Sequence, residues 1–174
     1  MLAYVFWHWP AAGVDPARYA EALTAFHRAL GAAPPPGMRG SRVFAVEAAP
    51  WIAAPSGFED WYFVDDFTAL GALNEAAVSG PRREPHDAAA RLVAGGAGGV
   101  YRQVSPGSGA VDRATWLYKP AGVSYDDFLA RLPPAEIWQR QMVLGPAPEF
   151  CLLGAAAPAG LAARTLRVQL IHRA

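Results

Sequence analysis

The chain has little of what would assign it to several large classes of protein. It holds a single cysteine, Cys151, so no disulfide can form within it, and a reducing cytoplasm is the simplest compartment. The formal net charge is zero and no basic block interleaves with aromatic residues, so we expect no nucleic-acid partner. No apolar run of about 18 residues exists, and Pro10 breaks the apolar start of the chain. We therefore expect neither a membrane span nor a signal peptide.

Familiar catalytic signatures are also missing. The four histidines are scattered without paired ligand spacing, so no metal site is predicted. Neither a G-x-S-x-G motif nor a dinucleotide-binding fingerprint occurs. The glycine-rich segment 95–99 follows a predicted helix instead of preceding one. Because phosphates bind at helix N-termini, we interpret this segment as a turn.

Aromatic residues, by contrast, are concentrated near the N-terminus. Residues 2–9, which include Tyr-Val-Phe-Trp-His-Trp at positions 4–9, predict a β-strand that is ended by proline. Alternation places Val5, Trp7 and Trp9 on one face and Tyr4, Phe6 and His8 on the other. Both faces are apolar apart from His8, so this strand is expected to be central and covered on both sides.

The remaining chain predicts alternating strands and helices in two halves. Asp15 and Pro16 mark the start of the first helix, and Asp66 precedes the second. The first half, residues 1–105, reads β-α-β-β-α-β, with further strands at 42–48, 59–65 and 100–105 and helices near 67–78 and 85–94. A linker at 106–113 leads to a shortened second half, residues 114–174, with strands at 114–119, 137–144, 150–153 and 165–172. Ser124 caps its one short helix, and residues 155–163 are too rich in Gly and Pro for another.

The two halves also share a weak sequence similarity. At an offset of 109 residues, Trp7 falls on Trp116 and Trp9 on Tyr118, and four more like pairs follow up to Leu23. Matches of glycine and valine are easily accidental in this composition, but the aromatic pairs are less so. The comparison indicates an internal structural repeat.

Two β-α-β-β-α-β units in tandem resemble the fused form of the dimeric α/β-barrel superfamily. That superfamily includes antibiotic-biosynthesis monooxygenases, stress-responsive barrel proteins, EthD-like proteins and muconolactone-isomerase-like proteins. The segment Pro85-His86-Asp87-Ala88 is similar to a proline–histidine stretch in several of them. The resemblance implies an α+β fold of two ferredoxin-like halves, whose antiparallel sheets face each other as a pseudo-dimeric α/β barrel. The segment 155–163 departs from the pattern, which has a full helix there.

The same resemblance implies a function. It suggests a small-molecule-binding protein that carries out monooxygenation, isomerisation or dehydration of a small aromatic compound without a cofactor, with haem as a minor alternative. A monomer with a pseudo-two-fold axis or a homodimer would enclose the cavity between the sheets. The alternative is a non-catalytic binding or assembly module in which the aromatic residues pack the two sheets together.

Two histidines are the candidate catalytic residues. His8 could act as a general base, since imidazole titrates near neutral pH, or it could be a packed core histidine. Its repeat partner is Leu117, so the scaffold does not require a polar group there. His86 is expected at the cavity mouth, with an exposed position in a first helical turn as the alternative. His27 and His172 are expected to be structural or solvated.

The candidate ligand-binding residues are aromatic and polar side chains on the predicted strands. Aromatic walls with a few polar groups are typical of a pocket for a flat organic ligand. A solid packing layer between two sheets would use the same residues, and alternation does not say which face meets the helices. The candidates are Trp7, Trp9, Tyr101, Gln103, Trp116, Tyr118 and Arg167.

Overall fold

The computed structural model describes residues 1–47 and 49–174, so the predicted strand end at Ala48 lies outside the described residues. The described chain forms eight strands and four α-helices. The strands are β1 (Leu2–Pro10), β2 (Met38–Glu47), β3 (Ser56–Val64), β4 (Val93–Ser105), β5 (Arg113–Leu117), β6 (Glu136–Arg140), β7 (Phe150–Leu153) and β8 (Ala163–Arg173). The helices are α1 (Pro16–Ala32), α2 (Phe67–Ala77), α3 (Arg83–Ala90) and α4 (Tyr125–Leu129), with a 3-10 turn at Gly80–Arg82 before α3.

The eight strands form one closed antiparallel barrel. Their order around the barrel is β1-β3-β2-β8-β5-β7-β6-β4, and β4 returns to pair with β1. Two pairings join the N-terminal strands to the C-terminal ones. In these pairings Val46 faces Val168 between β2 and β8, and Tyr101 faces Arg140 between β4 and β6.

The predicted fold, two ferredoxin-like halves with facing sheets in a pseudo-dimeric α/β barrel, is therefore wrong. The β2–β8 and β4–β6 hydrogen bonds satisfy backbone groups that two separate sheets would leave unpaired at their edges. The sheet is continuous, and only the five-residue α4 adds a helix between β5 and β8. The predicted tandem repeat is thus not supported as two equivalent α/β units. The division of the chain at residues 106–113 remains a prediction.

The predicted alternation of β1 is confirmed. Val5 and Trp7 are fully buried inside the barrel, and Trp9 packs against the same interior cluster. Leu2, Tyr4 and Phe6 belong to a second cluster on the outer face of the sheet, beneath the helices. Strand β1 is central, with β3 on one side and β4 on the other. The interior cluster also contains Phe44, Val46, Trp61, Phe63, Tyr101, Trp116, Trp138, Leu153 and Leu166.

Helices α1 and α2 begin at the positions that their predicted capping residues, Asp15 and Asp66, indicated. The Asp15 carboxylate accepts a hydrogen bond from the Ala17 N–H at 3.0 Å, and the Asp66 carboxylate accepts one from the Ala69 N–H at 2.9 Å. The apolar faces of both helices pack on the outer face of the sheet, through Phe26 and Leu73 among others. These two helices and α3 therefore cover one side of the barrel.

The predicted turn at residues 95–99 is wrong, because these residues lie within β4. A β-carbon on Gly95 would come within 2.6 Å of the Trp9 ring, and one on Gly96 within 2.5 Å of the Phe6 ring. The glycines therefore leave room for the large aromatic side chains of β1, which is a recognised use of glycine inside a strand. The high glycine content of this segment led to its wrong prediction as a turn.

The C-terminal strands are mostly where the sequence predicts them. Strand β7 has the predicted bounds, and residues 155–163 form no helix, as expected. Strand β6 ends earlier than predicted, at Arg140, because a turn follows in which Met142 has a φ of 51°. In the described part of the chain, none of the helices has both the length and the apolar character needed to span a membrane.

Candidate binding and proton-transfer site

A groove lies between the outer face of the sheet and helices α1, α2 and α3. We call it the outer groove; its volume is about 740 Å³. Its aromatic and aliphatic lining includes Tyr4, Phe6, Phe26, Tyr62, Phe67, Leu70 and Leu73. Its polar lining residues are His8, Tyr19, Asp60, Asn74 and His86. A concave, mostly apolar surface with a few convergent polar groups is the usual form of a small-molecule site.

His8 lies at the base of this groove and is fully buried. The outward phase of β1 directs its ring towards α1, where Nδ1 lies 2.6 Å from the Tyr19 hydroxyl. The imidazole stacks on Phe6 and Phe58, with ring centroids 4.8 and 6.0 Å away. The aromatic neighbours and the Tyr19 contact hold the ring in one orientation.

Asp60, on the outward face of β3, gathers three polar groups around a single carboxylate oxygen. Its Oδ2 lies 3.2 Å from His8 Nε2 and 3.1 Å from His27 Nε2. It also accepts a hydrogen bond from the Tyr62 hydroxyl at 3.0 Å. Both imidazole Nε2 atoms therefore contact the carboxylate directly.

The protonation of these groups follows from their surroundings. Burial alone would raise the pKa of Asp60, but the attraction of His8 and His27 outweighs it, so the pKa lies well below its ordinary value. Asp60 is therefore ionised near neutral pH. Burial and the negative charge of Asp60 both raise the pKa of Tyr19 and of Tyr62. Both tyrosines remain protonated phenols that can donate hydrogen bonds.

His27 extends the network away from the groove. It is fully buried, and its Nδ1 lies 2.7 Å from the Ser41 hydroxyl. Ser41, His27 and Asp60 thus contact one another in the order in which serine, histidine and aspartate do in hydrolase triads. Ser41 is 1% exposed and does not line the outer groove, so its hydroxyl has no route to a substrate there. We interpret Ser41 and His27 as groups that position Asp60.

His86 reaches the same groove from α3. Its ring meets the Phe26 ring at 5.5 Å, and its Nδ1 lies 3.0 Å from an Asp87 carboxylate oxygen. About a third of its side chain is exposed, so it lies nearer the solvent than His8 does. The structure thus places His8 and His86, the two histidines singled out from the sequence, on one groove.

No family model, curated protein or solved structure matches this chain.

The predicted ligand-binding residues do not gather at the outer groove. Trp7, Tyr101 and Trp116 are fully buried inside the barrel, where the Trp7 and Trp116 ring centroids are 5.4 Å apart. Trp9 packs against the same interior cluster. Gln103 is partly buried in the last part of β4, while Tyr118 and Arg167 are exposed. The tryptophans mostly pack the barrel interior.

Sequence reasoning missed Tyr19, His27 and Asp60. Neither Tyr19 nor Asp60 was among the candidates, and of the two alternatives given for His27, structural or solvated, its buried position fits only the structural one. The available signal was Asp60 itself, an acidic residue in the middle of the apolar and aromatic strand β3. A charged group at such a position needs buried partners.

The described residues, 1–47 and 49–174, contain no group of three or more His, Cys, Asp or Glu arranged to hold a metal ion. His8, His27 and Asp60 instead form a hydrogen-bonding and electrostatic cluster. Such a cluster can hold, accept or release a proton next to the groove.

Proposed function

We propose that this protein binds a small, flat, largely apolar molecule in the outer groove and transfers a proton to it. The observation that carries the proposal is the chain of contacts from Tyr19 to His8 to Asp60, at the polar base of an otherwise apolar groove. The proposed chemistry needs no cofactor, because only a proton moves. An aromatic ketone that forms its enol is the simplest substrate of this kind.

The proton step involves two short transfers. The step begins with a proton on each ring nitrogen of His8, whose Nε2 lies 3.2 Å from Asp60 Oδ2. Tyr19 gives its hydroxyl proton to the ligand oxygen and receives a proton from His8 Nδ1, 2.6 Å away. A ketone that is protonated on oxygen loses an α-carbon proton to water and becomes the enol. After the enol leaves, a proton from solvent returns to His8 Nδ1 through the Tyr19 hydroxyl.

Binding without chemistry is the second candidate function. Both ring nitrogens of His8 already have neighbours within 3.2 Å, which also suits a purely structural role. Aromatic side chains that do not line the outer groove, such as Trp7 and Trp116, pack together inside the barrel, which also supports a structural role for large rings in this protein. Binding and proton transfer therefore need separate tests.

The binding test uses Gly71, which lines the outer groove and has nothing within 4 Å of the position that a β-carbon would take. Phenylalanine at this position would fill part of the groove, whereas alanine would leave it nearly unchanged. Binding of naphthalene derivatives, followed by calorimetry and by ligand fluorescence, is expected for the unmodified protein and for Gly71→Ala. It is expected to be lost in Gly71→Phe. Equal affinity in all three proteins would contradict binding in this groove.

The proton-transfer test measures deuterium uptake by 2-tetralone in heavy water with proton NMR. We expect the unmodified protein to accelerate exchange at the α-carbon, and His8→Gln and Tyr19→Phe to lose at least about 10-fold of that rate while still binding the ketone. His86→Gln is the matched histidine control; a comparable loss there would assign His86 a direct role. Bound ketone with no acceleration in the unmodified protein would favour binding without chemistry.

A further inference from the structure

We infer that the ligand of the outer groove is an uncharged aromatic molecule that bears a hydrogen-bond donor in addition to the oxygen that receives the proton, and that Asp60 Oδ1 accepts this hydrogen bond. The inference rests on the proposed function, since it names the class of molecule that the same groove would select. It goes further by assigning a specific atom as the recognition point.

The two oxygens of the Asp60 carboxylate have very different surroundings. Oδ2 has His8, His27 and Tyr62 within 3.2 Å. Oδ1 is buried and has no hydrogen-bond partner among the described residues. A buried acceptor of this kind is costly to leave unpaired, and an ionised oxygen more so than a neutral one. Asp60 is among the residues that line the outer groove, so we assign the missing partner of Oδ1 to an O–H or N–H of a ligand bound there.

The charges around the groove determine which ligands would be rejected. No Lys or Arg is among its described lining residues. Among the described lining residues, His8 and His86 are then the only basic side chains that a ligand carboxylate would meet beside the ionised Asp60. Desolvating a second negative charge there is unfavourable. A neutral phenol or aromatic amine avoids this repulsion and supplies the missing donor.

Four probes of similar shape test the inference on the unmodified protein near neutral pH, with affinities measured by calorimetry. They are 2-naphthol, which has a donor; 2-methoxynaphthalene and naphthalene, which have none; and 2-naphthoate, which is charged. We expect 2-naphthol to bind about 10-fold or more tightly than 2-methoxynaphthalene, the ratio expected for one hydrogen bond to a charged acceptor. We expect 2-naphthoate to bind most weakly.

Two variants then locate the acceptor. Asp126→Asn, which changes an exposed aspartate of α4 outside the groove lining, is expected to keep the preference for 2-naphthol, whereas Asp60→Asn is expected to reduce it to less than about 3-fold. Should Asp60→Asn not fold, carbon NMR of the unmodified protein labelled at aspartate carboxyls gives an independent answer. Addition of 2-naphthol is then expected to shift the Asp60 resonance, and addition of 2-methoxynaphthalene is not.

The outcomes separate the two proposals. Equal binding of 2-naphthol and 2-methoxynaphthalene would overturn the donor inference and leave aromatic binding in the groove intact. Tightest binding of 2-naphthoate would overturn it as well. Failure of all four probes to bind would contradict the proposed function itself.

Discussion

Glu59 and Asp60 are adjacent acids on β3 that lie in opposite environments. Asp60 points outward to two imidazoles, and its pKa lies well below the ordinary value. Glu59 points into the barrel, where burial raises its pKa to about 7 although Trp61 and Trp7 donate hydrogen bonds to it. The two-residue period of the strand, not the chemistry of the side chain, decides which acid is ionised.

Glu59→Gln is expected to change how stability depends on pH. The folded-state pKa of Glu59 is about 7 against an ordinary 4.5, so the folded state holds this proton more tightly than the unfolded state does. The free energy of unfolding therefore falls as pH rises from about 4.5 to 7, by roughly 3 kcal/mol from this group. Urea denaturation at pH 5 and pH 8 should show this loss in the unmodified protein and not in Glu59→Gln.

The control for this experiment is Glu47→Gln, which changes an exposed glutamate at the end of β2. It should keep the pH dependence of the unmodified protein. Glu59→Gln also leaves one tryptophan N–H facing an amide N–H, so a constant loss of about 1–3 kcal/mol at both pH values is compatible with the prediction. An unchanged slope in Glu59→Gln would contradict the raised pKa.

At the scale of elements, large aromatic side chains of β1 lie opposite glycines of β4. Tyr4, Phe6 and Trp9 on β1 lie against Gly95, Gly96 and Gly98 on β4. The glycines therefore permit the aromatic side chains that form both the barrel interior and the floor of the outer groove. The groove depends on this pairing as much as on the helices that cover it.

Gly96→Ala is expected to destabilise the protein by about 1–3 kcal/mol. Its β-carbon would lie 2.5 Å from the Phe6 ring and 2.9 Å from the Trp7 carbonyl oxygen, so the strand pair must shift. Gly71→Ala in α2 is the matched control, because its β-carbon meets nothing within 4 Å and alanine favours the helix by about 0.5–1 kcal/mol. Thermal denaturation of both variants checks the prediction. Equal melting temperatures for Gly96→Ala and Gly71→Ala would contradict it.

Local signals predicted some elements well and others poorly. Asp15 and Asp66 identified helix starts because a cap acts on the next few residues only. The glycines of β4 misled, because their role depends on Phe6 and Trp9 about 90 positions away in the chain. The early end of β6 also depends on a distant residue. Where the turn after β6 begins, Gln141 donates its N–H to the Val100 carbonyl of β4, about 40 positions earlier in the chain.

At the scale of the whole molecule, an ion pair crosses the barrel interior between two strands that are far apart in the chain. Nη1 of Arg42 on β2 lies 3.1 and 2.9 Å from the two carboxylate oxygens of Glu136 on β6. Trp138 donates a third hydrogen bond to Glu136 at 3.0 Å, and the guanidinium lies over the Phe63 ring at 4.9 Å. The pair is largely buried, with side chains 15% and 8% exposed.

Arg42→Met is expected to destabilise the barrel by about 3 kcal/mol, because it leaves Glu136 buried without its cation. The double variant Arg42→Met, Glu136→Met is expected to recover most of that loss, since two apolar side chains of similar volume replace the pair. Urea denaturation of both single variants and the double variant completes a double-mutant cycle. Additive single effects, with no coupling between the residues, would contradict the cross-barrel role of the pair.

The sequence by itself determined features that depend on near neighbours: the two faces of β1, the caps of α1 and α2 and the bounds of β7. Only the tertiary structure decided how the strand edges join, and it joined them into one closed barrel instead of two facing sheets. It also decided that the tryptophans fill the interior while His8 meets Tyr19 and Asp60 outside it. Backbone pairing and buried electrostatic contacts act between residues far apart in the chain, and local sequence patterns do not encode which of these distant partners meet.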